Sequence, residues 1–191
     1  MKPDRLFKEA LGLTSPWEVV GIEFCAEDRR LDIHIDFPRG STFPCPTCNE
    51  PGAKPYDTAG HTWRHLDFFQ HQAYLHARVP RVECTQGCGV KKVEVPWARS
   101  GSGFTLLFEA LVMALAREMP VAAIAGLIGE HDTRVWRIVH HYVDQAREDC
   151  DFSEVKQVAV DETASRRGQN YISSFFDSED KRLLFAVQGR D

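Results

Sequence analysis

The chain has 191 residues, 43% of them apolar and 27% charged, which is the composition of a water-soluble globular protein of one or two domains. No apolar tract is long enough for a membrane span, and the N-terminus MKPDRLFKEALG lacks the apolar stretch of a signal peptide, so the cytoplasm is expected and a membrane partner is not. A net charge of −5 excludes a chain that grips nucleic acid over its whole surface.

The charge is uneven along the chain. In residues 54–99, Lys54, Arg64, Arg78, Arg81, Lys91, Lys92 and Arg99 outnumber Asp57, Asp67, Glu83 and Glu94, and the remainder is acidic. The first dozen residues place Leu6, Phe7, Ala10 and Leu11 at helical spacing before a stop at Gly12. Trp17 to Phe24 and Leu31 to Phe37 suit two strands joined by the polar turn AEDRR, and Leu31, Ile33, Ile35 and Phe37 alternate with Asp32, His34 and Asp36. This predicts a β-hairpin with one buried face, and it puts His34 on the solvent side.

Two close pairs of thiols follow, Cys45 and Cys48 in FPCPTCNE and Cys84 and Cys88 in VECTQGCGV. A tetrahedral zinc needs four soft ligands, and each short Cys turn aims two sulfurs inward. Pro44 and Pro46 stiffen the first turn, while Gly87 and Gly89 free the second. Structural Zn²⁺ is the expectation; the alternatives are two disulfides, or one of His61, His65, His71 and His76 in place of a cysteine. Cys25 and Cys150 receive no role. The aromatic and apolar runs between the pairs, with a further strand from Lys91 to Trp97, make a zinc ribbon. Arg64 and Arg81, together with His65 and Arg78, are candidates for a phosphate backbone, a solvated face being the alternative.

The stretch ARSGSG at 98–103 reads as a linker. After it Phe104, Leu107, Phe108, Leu111, Val112 and Leu115 form a helical stripe ending near Glu118. Pro120 opens a second short helix that stops at Gly129, and His131 or Asp132 caps a third with Val135, Ile138, Val139, Tyr142, Val143 and Ala146 inside. Three helices with a tight turn between the last two form a helix-turn-helix, whose last helix enters the major groove by its N-terminal residues. Thr133, Arg134 and Arg137, with His141 further along, are the candidate contacts to double-stranded DNA. Residues 100–150 nevertheless carry four arginines against seven carboxylates, and Glu130 sits in the turn, so plain helical packing stays open.

The last stretch predicts an antiparallel meander: Val155 to Val160 running into Asp161, a turn over ETASRRGQN where Arg166 and Arg167 are either phosphate contacts or ordinary residues of a polar turn, then strands from Tyr171 to Phe176 and from Arg182 to Val187. Asp161 within an apolar strand needs a metal or a partner unless it faces solvent at the strand end.

The succession CPTC, CTQGC, IAGLIGEHDTRVWRIVHHYV and VAVDETASRRGQNYISSFFD resembles a group of bacterial insertion-sequence transposases, the ISL-three family. That resemblance implies an α+β chain in three parts: a β-rich zinc-binding domain at 1–99, a helix-turn-helix at 100–152, and the opening strands of an RNase H-like DDE domain at 153–191. It implies that Asp161 is the first catalytic carboxylate, holding Mg²⁺ for phosphoryl transfer in a complete domain. The second and third carboxylates of such a triad have no counterpart here, so the chain is expected to be inactive in DNA cleavage alone. Its open sheet is expected to meet a second copy, as a homodimer, or a full-length transposase. The alternative is a zinc-stabilised regulator or protein-interaction module without catalysis.

Overall fold

Alternating apolar residues give a strand one face for the core, and the first hairpin follows that rule. Strand β1 (Glu18–Cys25) pairs antiparallel with β2 (Arg30–Asp36), where Leu31, Ile33 and Ile35 are buried. The structure, a computed structural model, describes residues 3–166 and 170–189. Helix α1 (Pro3–Ala10) precedes the hairpin and is followed by Gly12, at a φ of 61° that glycine adopts without steric cost.

Two long strands, β3 (Pro55–Phe68) and β4 (His71–Cys84), and a short one, β5 (Gly89–Lys92), complete the sheet. Strand β4 organises it. One edge pairs antiparallel with β3; the other pairs first in parallel with β2, Arg30 opposite Gln72 through Ile35 opposite Ala77, and then antiparallel with β5. The expected strand from Lys91 to Trp97 stops at Lys92. Val93 still donates to the Pro80 carbonyl at 2.9 Å, but Pro80 has no N–H to return and the ladder ends. One face of the sheet closes over Trp17, Phe43, Trp63 and Trp97, with the Trp17–Trp97 and Trp63–Trp97 rings 5.0 and 5.6 Å apart, edge to face. His34 is not simply solvated on the other face: it stacks on His76, ring centres 5.0 Å apart, because the parallel β2–β4 pairing sets the two side by side.

The helical segment begins later than its apolar stripe suggests. Thr105 caps α2 (Leu106–Ala116) by accepting the Phe108 N–H, which leaves Phe104 outside the helix. Helix α3 (Val121–Ile128) starts after Pro120 and stops at Gly129, whose φ of 68° lets its N–H reach back to the Ala125 carbonyl. Helix α4 is Asp132–Glu148. Phe108, Val112, Ile124, Ile128, Val135 and Ile138 make the shared core. The expected inner face of α4 holds only in its first half: Val143 and Ala146 are exposed.

The chain divides into two compact units, Met1–Val139 and His140–Asp191. In the second, β6 (Val158–Arg166), β7 (Asn170–Asp177) and β8 (Leu183–Gln188) form an antiparallel sheet in chain order. The expected turn over ETASRRGQN is therefore mostly strand. Thr163 pairs with Ile172 and Ala164 with Tyr171; Arg167 lies outside the described residues. Among the described residues no helix is long and apolar enough to cross a membrane.

Candidate metal centre and nucleic-acid interface

The two cysteine turns are built differently and meet at one point. Phe43 and Ala53 exchange backbone hydrogen bonds across the first, and inside it the Cys45 N–H donates to the Glu50 carbonyl while the Asn49 N–H donates to the Cys45 carbonyl, both at 2.8 Å. The second connects β4 to β5. Gly87 there has a φ of 86°, and the Gln86 N–H points at the Cys84 sulfur from 3.4 Å.

All four Sγ atoms lie within 4.8 Å of one another, and those of Cys48 and Cys84 are 3.4 Å apart. Sulfurs about 2.3 Å from a shared tetrahedral zinc are about 3.8 Å apart, so the donor set fits that ion. The alternative of a histidine ligand is not realised among the described residues, and all six cysteines are free thiols. Backbone N–H groups of Cys48 and Thr47 directed at the Cys45 sulfur lower its pKa to about 6. Cys88 is pushed up to about 12 by its hydrogen bonds with the Cys48 and Cys84 sulfurs. Four thiolates do not coexist at that spacing without a cation, and a divalent metal supplies one.

The zinc-side sheet and the helices are joined through Arg64. Its N–H donates to the Gly103 carbonyl at 2.9 Å, its carbonyl accepts from Thr105 at 3.0 Å, and its guanidinium is 1% exposed. That guanidinium donates to the His65 carbonyl at 2.6 Å and to Asp67, lies 3.9 Å from Glu130, and packs over the Phe108 ring. The expectation of a phosphate contact at Arg64 is thereby corrected: its charge is used in the interior. His65 beside it shares a hydrogen bond with the Thr105 hydroxyl at 2.8 Å, and burial, aided by the Arg64 charge, lowers its pKa to about 4.

The expected DNA contacts fall into two groups. Thr133, Arg137 and His141 are exposed on α4; the Thr133 hydroxyl is 2.9 Å from His131 Nδ1, and Arg137 has no ion pair among the described residues. Arg134 is held instead: it pairs with Glu130, whose side chain is 8% exposed, and lies 4.3 Å above the Phe104 ring. Arg81 is exposed on β4 and paired with Asp57. Asp161 is exposed at mid-strand in β6, opposite Ser174, and accepts a 3.4 Å hydrogen bond from Thr163.

Two features escaped the sequence reading. Glu130, counted there against a helix-turn-helix, is a buried counter-ion for Arg64 and Arg134. Glu109 is fully buried on α2, paired with Arg99 at 2.9 Å and accepting from Ser102 at 2.6 Å. Its signal was present in the helical stripe, where a carboxylate stands directly beside Phe108.

Sheet, four-sulfur centre and three helices together define a chain of zinc-ribbon and helix-turn-helix type. Residues 41–92 match the zinc-finger of transposase IS204/IS1001/IS1096/IS1165, and residues 93–143 match the helix-turn-helix domain of transposase family ISL3. The chain belongs to the ISL3 family of insertion-sequence transposases. It is 30% identical over 206 aligned residues to the transposase for insertion sequence element IS1557 of Mycobacterium tuberculosis, in alignments that cover 100% of this chain and 44% of the relative. The transposase for insertion sequence element IS1001 of Bordetella parapertussis is 25% identical, over 98% of this chain and 46% of that relative. The chain thus spans less than half the length of the curated relatives it matches. No solved structure matches it.

Proposed function

We propose that this chain recognises the terminal repeats of an insertion element as double-stranded DNA, in the bacterial cytoplasm, with zinc holding the reading unit in shape. The observation that carries this reading is the exposed N-terminal face of α4, directly after the Gly129 turn, within the residues that match a transposase helix-turn-helix. Arg137 is the chief candidate for a base edge, since its planar donor fork has no ion pair among the described residues. Thr133 and His141 flank it, and Arg81 is a phosphate contact that exchanges Asp57 for DNA. Arg134 contributes only where a phosphate competes with Glu130.

In this reading residues 1–99 are the zinc domain, 100–152 the DNA-reading domain and 153–191 the opening strands of an RNase H-like domain. Asp161 is then one carboxylate of a Mg²⁺ site. Exposed Val158, Val160, Phe185 and Val187 on the β6–β8 sheet favour a second copy or a full-length transposase as partner.

The test is a titration of labelled terminal-repeat and scrambled duplexes with the zinc-loaded chain, repeated after chelation. Preference for the repeat, lost with the metal, supports the reading. Arg137→Ala is expected to cost about 1–3 kcal/mol of repeat binding, and Asp161→Ala none. Equal affinity for both duplexes overturns it. The excess of carboxylates over residues 100–150 and the engagement of Arg134 favour a second reading, a zinc-stabilised protein-interaction module. Undetectable duplex binding at low salt decides for that one.

A further inference from the structure

Cations on the strands of the zinc-side sheet are mostly neutralised in place. Arg30 pairs with Asp32, Arg64 with Asp67 and Glu130, Arg78 with Asp36, and Arg81 with Asp57. Lys91 and Lys92 on β5 are the exceptions, having no carboxylate partner among the described residues. Both line one cleft of about 440 Å³, whose other walls include Thr47 of the first cysteine turn, His61 of β3 and the loop 98–102 that leads into α2.

The cleft is suited to an anion. Glu94 is its one lining carboxylate, against Lys91, Lys92 and Arg99, and Arg99 is already held by the buried Glu109. Burial and the nearby Lys92 charge lower the pKa of His61, so its ring is neutral at pH 7 and offers a hydrogen bond without a second positive charge to crowd the lysines. Thr47, Ser100 and Gly101 line the same cleft without adding charge. Lys91 and Lys92 both line the groove, and lysines without a carboxylate partner there are matched by phosphodiesters.

We propose that Lys91 and Lys92 clamp the sugar-phosphate backbone of a DNA duplex in this cleft, a sequence-independent anchor beside the domain that reads sequence. The inference rests on the DNA-binding function proposed above. Its test is a salt series with the zinc-loaded chain on terminal-repeat and scrambled duplexes, comparing wild type with Lys91→Gln/Lys92→Gln, Lys91→Arg/Lys92→Arg and Arg137→Ala. Loss of two phosphate contacts is expected to lower the log–log salt slope by about 1.8, and to weaken binding by the same factor on both duplexes, while the arginine pair keeps wild-type behaviour. Arg137→Ala instead is expected to lose the preference for the repeat and keep most of the slope. Lys92 is solvent-exposed, so Lys92→Gln alone, with about half the slope change, carries the test if the double variant loses its zinc. Wild-type slope and affinity in the glutamine variants overturn the anchor, as does a loss confined to the repeat. A lysine-dependent slope with no preference for the repeat in wild type leaves the anchor standing and removes the terminal-repeat reading. Absence of any duplex binding by wild type removes both.

Discussion

His65 shows how one side chain at the junction of sheet and helix sets a pH limit on the fold. An ordinary histidine titrates near 6.5, whereas burial next to Arg64 brings this one to about 4. Between those values the unfolded chain takes up a proton that the folded chain refuses. The stability this neutral ring secures is complete above pH 6.5 and is lost as the pH falls toward 4, by up to about 3 kcal/mol. Urea unfolding of the zinc-loaded protein is expected to show it, with a smaller loss in His65→Gln; equal losses in both exclude His65 as the cause. Glu130 is the second residue of this kind. Glu130→Gln keeps the shape, removes the charge between Arg64 and Arg134, and is expected to cost about 1–3 kcal/mol while raising affinity for scrambled duplex, because Arg134 is released. An unchanged melting temperature and affinity count against that role. The cysteines were legible from spacing alone because metal chemistry is local. The fate of Arg64 was not, since its partner Glu130 is brought close only by packing.

Secondary-structure elements were legible wherever a backbone-specific residue punctuates them. Pro120 and Gly129 bound α3 where the sequence places them, and a β-carbon at 129 would meet Gln72 Nε2 at 3.2 Å, at a φ of 68°. Gly129→Ala is therefore expected to destabilise the helical turn by roughly 1–2 kcal/mol, read as a lower thermal midpoint. A midpoint equal to wild type removes the constraint. The cysteine turns act at the same scale. Cys88, pushed up to about 12, must lose its proton to bind metal, so zinc affinity is expected to rise with pH, with proton release detectable by calorimetry in buffers of different ionisation enthalpy. Identical heats in all buffers contradict this. What composition and periodicity did not reveal was pairing. Alternation in β2 announced a hairpin with one buried face, yet nothing in Leu31 to Phe37 announces a parallel neighbour, because register with β4 depends on residues forty positions later.

For the molecule as a whole, the second unit leaves apolar residues of β6 and β8 open to solvent, among them Val160, Leu183 and Phe185. Sedimentation over a range of concentrations is expected to reveal self-association, weakened by Phe185→Lys. A monomer at every concentration sinks that expectation. The succession of strands, helices and strands again was legible from the sequence because the hydrophobic period changes with each, whereas the division into units at 139/140 falls inside a helix and left no such mark. Nor was the extent of β6 legible, since polar ETASR reads as a turn until β7 pairs with it.

The central place of β4 also has a consequence in time. As the chain emerges from the ribosome, the first hairpin appears well before the strand that covers the edge of β2, and the metal has to wait for Cys84 and Cys88 as well. Sheet closure and zinc capture then fall within the same few residues of synthesis. Long-range pairing of this type is slow, because the loop must close before any contact rewards it. Until β4 arrives, Leu31, Ile33 and Ile35 lie on a strand whose second edge is unpaired, the kind of transient surface that exposes a folding chain to aggregation.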